Sequence, residues 1–125
     1  MKQDYKEYDN TVQGYMKDIV QELESSGKMK ETDRISLDIL ACNLQKWRMA
    51  ESEVAKMGIL LPSDRGNMSK NPAIDVANAA LRQAMAIMQD YGLTALSRKK
   101  LKKGEEKEVG NSPLAEFLEE NMEKS

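Results

Sequence analysis

The sequence predicts an all-α protein: long antiparallel helices with a loop or short β-hairpin insert, a short basic helix and an acidic C-terminal helix. Three observations predict it. Apolar residues recur at three- and four-residue steps over long stretches, the period of one helical face. No glycine or proline interrupts the two longest stretches, residues 33–57 and 73–91. The composition is 32% charged with nine Met but only one Trp and one Phe. That balance suits wet, elongated helices, often completed by self-association, better than a large aromatic core.

The first helix is expected over residues 8–25, where Tyr8, Val12, Tyr15, Met16, Ile19, Val20 and Leu23 form one stripe. Gly27 follows as a left-handed C-cap. The second is expected over 33–57, opening at Thr32-Asp33, both N-cap residue types, and stopping at Gly58. Its apolar face is Leu37, Leu40, Ala41, Leu44, Trp47 and Val54, with Trp47 a core anchor and Cys42 a small buried residue. Residues 59–70 carry Pro62 and the turn-forming run Asp64-Arg65-Gly66-Asn67, which marks a loop or short hairpin.

The third helix is expected over 72–91. Asn71 is its N-cap, and Pro72 sits at the first position, where a missing N–H does no harm. Ile74, Ala77, Leu81, Ala84, Met88 and Tyr91 make a heptad-like seam, either the protomer's core or an oligomer contact. The opposite, alanine-rich face is open to a neighbouring helix. Gly92 closes the helix, and Thr94 caps a fourth over 94–103 that ends in Arg98-Lys99-Lys100-Leu101-Lys102-Lys103. Residues 1–103 thus read as a helical core domain and 104–125 as a linker with an acidic amphipathic tail.

The composition excludes more than it names. The chain has no His and one Cys, so a structural zinc site, an internal disulfide and a His-dependent catalytic dyad or triad are all excluded. None of its seven glycines falls into a GxxxxGK[ST] or GxGxxG frame, so no phosphate-binding loop is expected. No cofactor is expected, and the chain reads as a binding or assembly protein rather than an enzyme. Its polar start, Met1 to Glu7, does not resemble a signal peptide, and no apolar run is long enough to cross a bilayer. A cytoplasmic protein without membrane contact is expected. With a net charge of −2, any nucleic-acid contact must come from local clustering of cations.

One ordered set of motifs goes further. Thr32-Asp33, Trp47, Gly58, Asn71-Pro72 and Gly92-Leu93-Thr94…Ser97-Arg98…Leu101 follow one another between about residue 30 and residue 103. This order resembles the small terminase subunits of tailed double-stranded-DNA phages, in the branch with a Gly-Leu-Thr-x-x-Ser-Arg box that often accompanies a phage HNH nuclease. Ala95 and Leu96 depart from the Pro and Ser more usual inside that box. The resemblance implies a non-catalytic DNA-packaging subunit in the host cytoplasm. It would recognise viral DNA as a homo-oligomeric ring and recruit or regulate a large ATPase/nuclease subunit.

On that reading, the candidate DNA contacts are Arg98, Lys99, Lys100, Lys102 and Lys103, with Arg65 and Lys70 in the insert as further candidates. The same cluster also fits cations complementing a helix C-terminal dipole, and the insert cations fit an ordinary exposed loop. Leu114, Phe117 and Leu118 are the candidate docking face for the large subunit. The alternative is a helical adaptor that binds only protein, which the net charge favours and the motif order disfavours.

Overall fold

The computed structural model describes residues 5–27, 29–100 and 102. Helix α1 spans Asn10–Ser25, α2 Asp33–Met57 and α3 Ala73–Asp90, with strands β1 (Leu60–Pro62) and β2 (Met68–Lys70) between α2 and α3. The chain divides between Met88 and Gln89 into two compact units. The first holds α1, α2, the hairpin and nearly all of α3. No described helix is long and apolar enough to cross a membrane. The fold is therefore the expected helical one, and the insert is a hairpin.

Helix α1 starts where Asp9, in extended backbone, accepts the Val12 N–H at 2.9 Å. It ends at Gly27, whose φ of +70° gives the left-handed turn that a glycine adopts without a Cβ penalty. Val12, Met16 and Leu23 are its buried side chains, packed with Leu37, Leu40, Ala41, Leu44 and Ala50 of α2 in the core of this unit. The Asp9 N–H donates to Gln45 Oε1 at 3.1 Å, and Asp9 lies 3.5 Å from the Arg48 guanidinium. The start of α1 therefore sits beside the second half of α2 while a short connector joins their other ends. The two run antiparallel.

Tyr5, which precedes α1, is also buried, at 7% exposure, and its ring lies 6.1 Å from that of Tyr8. Burial, reinforced by the Asp38 carboxylate, pushes the Tyr5 phenol up to about 12.

The entry to α2 differs from expectation. Thr32 is already in right-handed helical backbone (φ −68°, ψ −19°) and its side chain makes no capping bond. The Asp33 carboxylate instead reaches back to accept the Lys30 N–H at 2.8 Å, half of a capping box placed one turn early. Backbone bonds from Asp33, Arg34 and Ile35 to Lys30, Glu31 and Thr32 close that lead-in turn. Two side chains of the expected α2 core face, Trp47 and Val54, are only half-buried, and so is Cys42.

At the far end of α2, Gly58 donates to Val54 O at 2.8 Å and takes φ +89°, ψ 174°. Only glycine occupies that region readily. The chain then turns into the hairpin, with Leu60 opposite Lys70, Leu61 opposite Ser69 and Pro62 opposite Met68. The Ser63 N–H donates to Asn67 O at 2.6 Å and closes the tip, with Gly66 at φ +80°.

Asn71 joins the hairpin to both flanking helices. It is 4% exposed, the one buried polar residue among those described. Its N–H donates to Ile59 O at 2.7 Å and its amide nitrogen to Gly58 O at 2.9 Å, while its Oδ1 accepts the Ala73 N–H at 3.0 Å. The expected cap of α3 therefore also holds the last carbonyl past α2.

Helix α3 buries only alanine: Ala77, Ala80 and Ala84. The expected seam is split. Ala77 and Ala84 are buried, Leu81 is 37% exposed, and Ile74, Met88 and Tyr91 are half-buried. Its larger residues lie at the margin of that buried alanine strip. There Leu81, Met85 and Met88 join Tyr15, Ile19, Leu44 and Trp47 around an open apolar groove of about 360 Å³.

Candidate nucleic-acid interface

The basic cluster belongs to the second unit, and its position follows from a local hydrogen-bond code. Gly92, at φ +69°, donates to Gln89 O at 3.0 Å and turns the chain out of α3. Two residues later, Thr94 and Ser97 cap each other. Thr94 Oγ1 accepts the Ser97 N–H and Ser97 Oγ accepts the Thr94 N–H, both at 3.1 Å. The two hydroxyl oxygens lie 2.6 Å apart. This is the geometry of a capping box with serine in the third position, and it satisfies two N–H groups that a helix start otherwise leaves open. The Arg98 N–H then donates to Thr94 O at 2.9 Å, the first turn of a helical segment covering residues 95–100 and including Lys102.

Arg98, Lys99, Lys100 and Lys102 are all exposed on this segment. Arg98 and Lys102 stand one turn apart on the same side, where Cβ atoms are roughly 5–6 Å apart, and Lys99 lies about 100° around from Arg98. Lys100 falls on the other side, beside a shallow recess lined also by Gln89, Asp90, Leu96 and Ser97. Three of the four cations thus share one face, an arrangement that suits a run of phosphates better than a compact anion.

The remaining candidates are placed differently. Arg65 is exposed at the hairpin tip. Lys70 on β2 pairs with Asp75 in the first turn of α3, Nζ to Oδ1 at 2.8 Å, with both side chains more than half exposed. That pair is worth little to stability, and it partly neutralises Lys70 as a phosphate ligand. Lys103, Leu114, Phe117 and Leu118 lie outside the described residues. The groove between α1, α2 and α3 has almost no signature in the sequence. Its residues come from three elements, and the only sign of it is Trp47 with an apolar α3 seam.

Comparison with known proteins bears on the whole of this region. Residues 15–108 match the family model for the phage terminase small subunit. The chain belongs to that family. The matched stretch takes in most of α1 as well as α2, the hairpin, α3 and the basic segment. No curated protein and no solved structure matches the chain.

Proposed function

We propose that this chain is the non-catalytic DNA-recognising subunit of a phage packaging terminase, acting in the host cytoplasm. It assembles into a homo-oligomeric ring, binds double-stranded viral DNA, and recruits or regulates the large subunit that carries the ATPase and nuclease. The observation that carries the DNA-binding part is the exposure of Arg98, Lys99, Lys100 and Lys102, three of them on one face, on a helical segment held by the Thr94–Ser97 caps. Lys103 extends the same run in sequence, and Arg65 and Lys70 are secondary contacts. The Gly92-Leu93-Thr94…Ser97-Arg98 box supports placement in the branch that often accompanies an HNH nuclease. In this reading the box is the device that ends one helix and starts the basic one.

The test is a charge reversal. Lys99, Lys100, Lys102 and Lys103, all changed to Glu, are expected to weaken duplex-DNA binding by well over tenfold while circular dichroism stays that of the wild type. Every phosphate that the variant no longer neutralises takes roughly 0.9 of a unit off the logarithmic salt slope, and at 0.1 M salt that is about eightfold in affinity. Undiminished binding by the variant would sink the assignment and leave the protein-only adaptor as the better account.

A further inference from the structure

The basic segment carries its charge without compensation nearby. Residues 98–103 hold five cations and no acid. Among the described residues, none of Arg98, Lys99, Lys100 and Lys102 has an ion-pair partner. Asp90 lines the recess beside Lys100, yet the two form no salt bridge. Arg98 and Lys102, one helical turn apart, repel each other. Such a segment gains from any anion that it can reach.

The opposite charge lies in the stretch that follows. Residues 104–125 hold seven Glu against two Lys, a net charge of −5. Residues 98–103 carry +5, and residues 1–97 carry −2. The small net charge of the chain thus conceals two blocks that adjoin in sequence and cancel. Both belong to the second unit. Carboxylates and phosphates offer a lysine or arginine the same partner, an anionic oxygen. A cationic segment that suits a run of phosphates therefore also suits a run of glutamates, and the two compete for it.

We propose that residues 104–125 cover the Arg98–Lys102 segment in the DNA-free protein and that duplex DNA must displace them. The inference rests on the DNA-binding reading of that segment and adds its regulation. Reach is no obstacle. Eight residues, 104–111, extend up to roughly 26–29 Å, whereas Arg98 to Lys102 is roughly 6 Å of helix. In the helix expected over 112–125, Glu116, Glu119, Glu120 and Glu123 fall at i, i+3, i+4 and i+7, along one side. Leu114, Phe117 and Leu118 fall on the opposite side. Pairing the acids with the cations therefore leaves the apolar side open to the large subunit.

Tethering lets a weak contact count. A short flexible connection holds the acids near the cations at an effective concentration on the order of millimolar. A contact with a dissociation constant of about 0.1 mM then covers the segment about nine-tenths of the time. Only the remaining tenth is competent for DNA, which weakens binding roughly tenfold.

The experiment uses two full-length proteins, the wild type and a variant in which Glu105→Gln is repeated at all seven Glu of residues 104–125. Fluorescence anisotropy at about 0.1 M salt reads duplex-DNA affinity, and the variant should bind roughly tenfold more tightly. A carbodiimide, which joins a lysine to a carboxylate only where they touch, reads the contact itself in the wild type. Amide links from Lys99, Lys100 or Lys102 to Glu116, Glu119, Glu120 or Glu123 should form within single chains. Excess duplex DNA should abolish them.

Equal affinity of the two proteins for DNA would overturn the proposal and leave the DNA-binding reading standing. So would a tighter-binding variant without such links in the wild type, since long-range repulsion alone would then explain the gain. Links that persist under saturating DNA, or that join two chains, would also overturn it. Failure of both proteins to bind duplex DNA at low salt would overturn the DNA-binding reading and the regulation together.

Discussion

Asn71 makes bonds in three directions, to Gly58, Ile59 and Ala73, while almost fully buried. Its side chain caps one helix and ties down the end of another. Asn71→Ala should destabilise the protein by about 2 kcal/mol in chemical denaturation, because it removes a cap and leaves a carbonyl unpaired. Asn71→Asp keeps the acceptor for Ala73 but sets a carboxylate against Gly58 O, so it should recover little of that stability. The local half of this arrangement was legible from Asn-Pro alone. The bond to Gly58 spans thirteen positions and has no local signature. Gly58 is a second case: its stop was legible, its φ of +89° with extended ψ was not, and Gly58→Ala should cost about 1–3 kcal/mol.

Tyr5 is a core residue that periodicity does not reveal, because it stands alone before α1. Its raised phenol makes a pH prediction. The native state holds the proton more tightly than the unfolded chain, so the contribution is fully present below pH 10 and is lost as pH rises toward about 12. Thermal melts above pH 10 should therefore fall less steeply for Tyr5→Phe than for wild type.

At the scale of elements, periodicity and glycine position located the helices because both act locally. Helix α2 ends at Met57, before Gly58, as its pattern required. Its start was harder to read: Thr32 and Asp33 are both cap types, and only the geometry shows Asp33 reaching back to Lys30. The α3 seam has the pattern of a single face. Which of its residues are buried depends on the elements packed against it, and along α3 only Ala77, Ala80 and Ala84 are.

The basic segment depends on its caps. Thr94→Ala removes one hydroxyl of the Thr94–Ser97 pair and should cost about 1 kcal/mol of local helix stability. Amide exchange over residues 95–100 should speed up roughly fivefold, without a matching change in α1 or α2. Equal protection in the variant would mean that the caps do not hold the segment.

For the whole molecule, the family match across residues 15–108 runs from within α1 through the basic segment. The sequence made this legible through an ordered set of weak motifs. The stretch 112–125 was assigned by amphipathic pattern alone, with Leu114, Phe117 and Leu118 as its apolar side. Deleting 112–125 should abolish co-purification with the large subunit while the melting temperature stays within a few degrees of the full chain. A retained complex would move the docking surface elsewhere.

The central claim is that a chain of net charge −2 binds DNA through one local row of cations. The most direct test is the affinity of the full chain for duplex DNA, measured by fluorescence anisotropy between about 50 and 200 mM salt. Three phosphate contacts on one face, from Arg98, Lys99 and Lys102, predict a log–log slope of about −2.7 per protomer engaged, steeper when Lys100 or Lys103 contributes. A slope near zero, or no binding to duplex DNA at the lowest salt, would contradict the account.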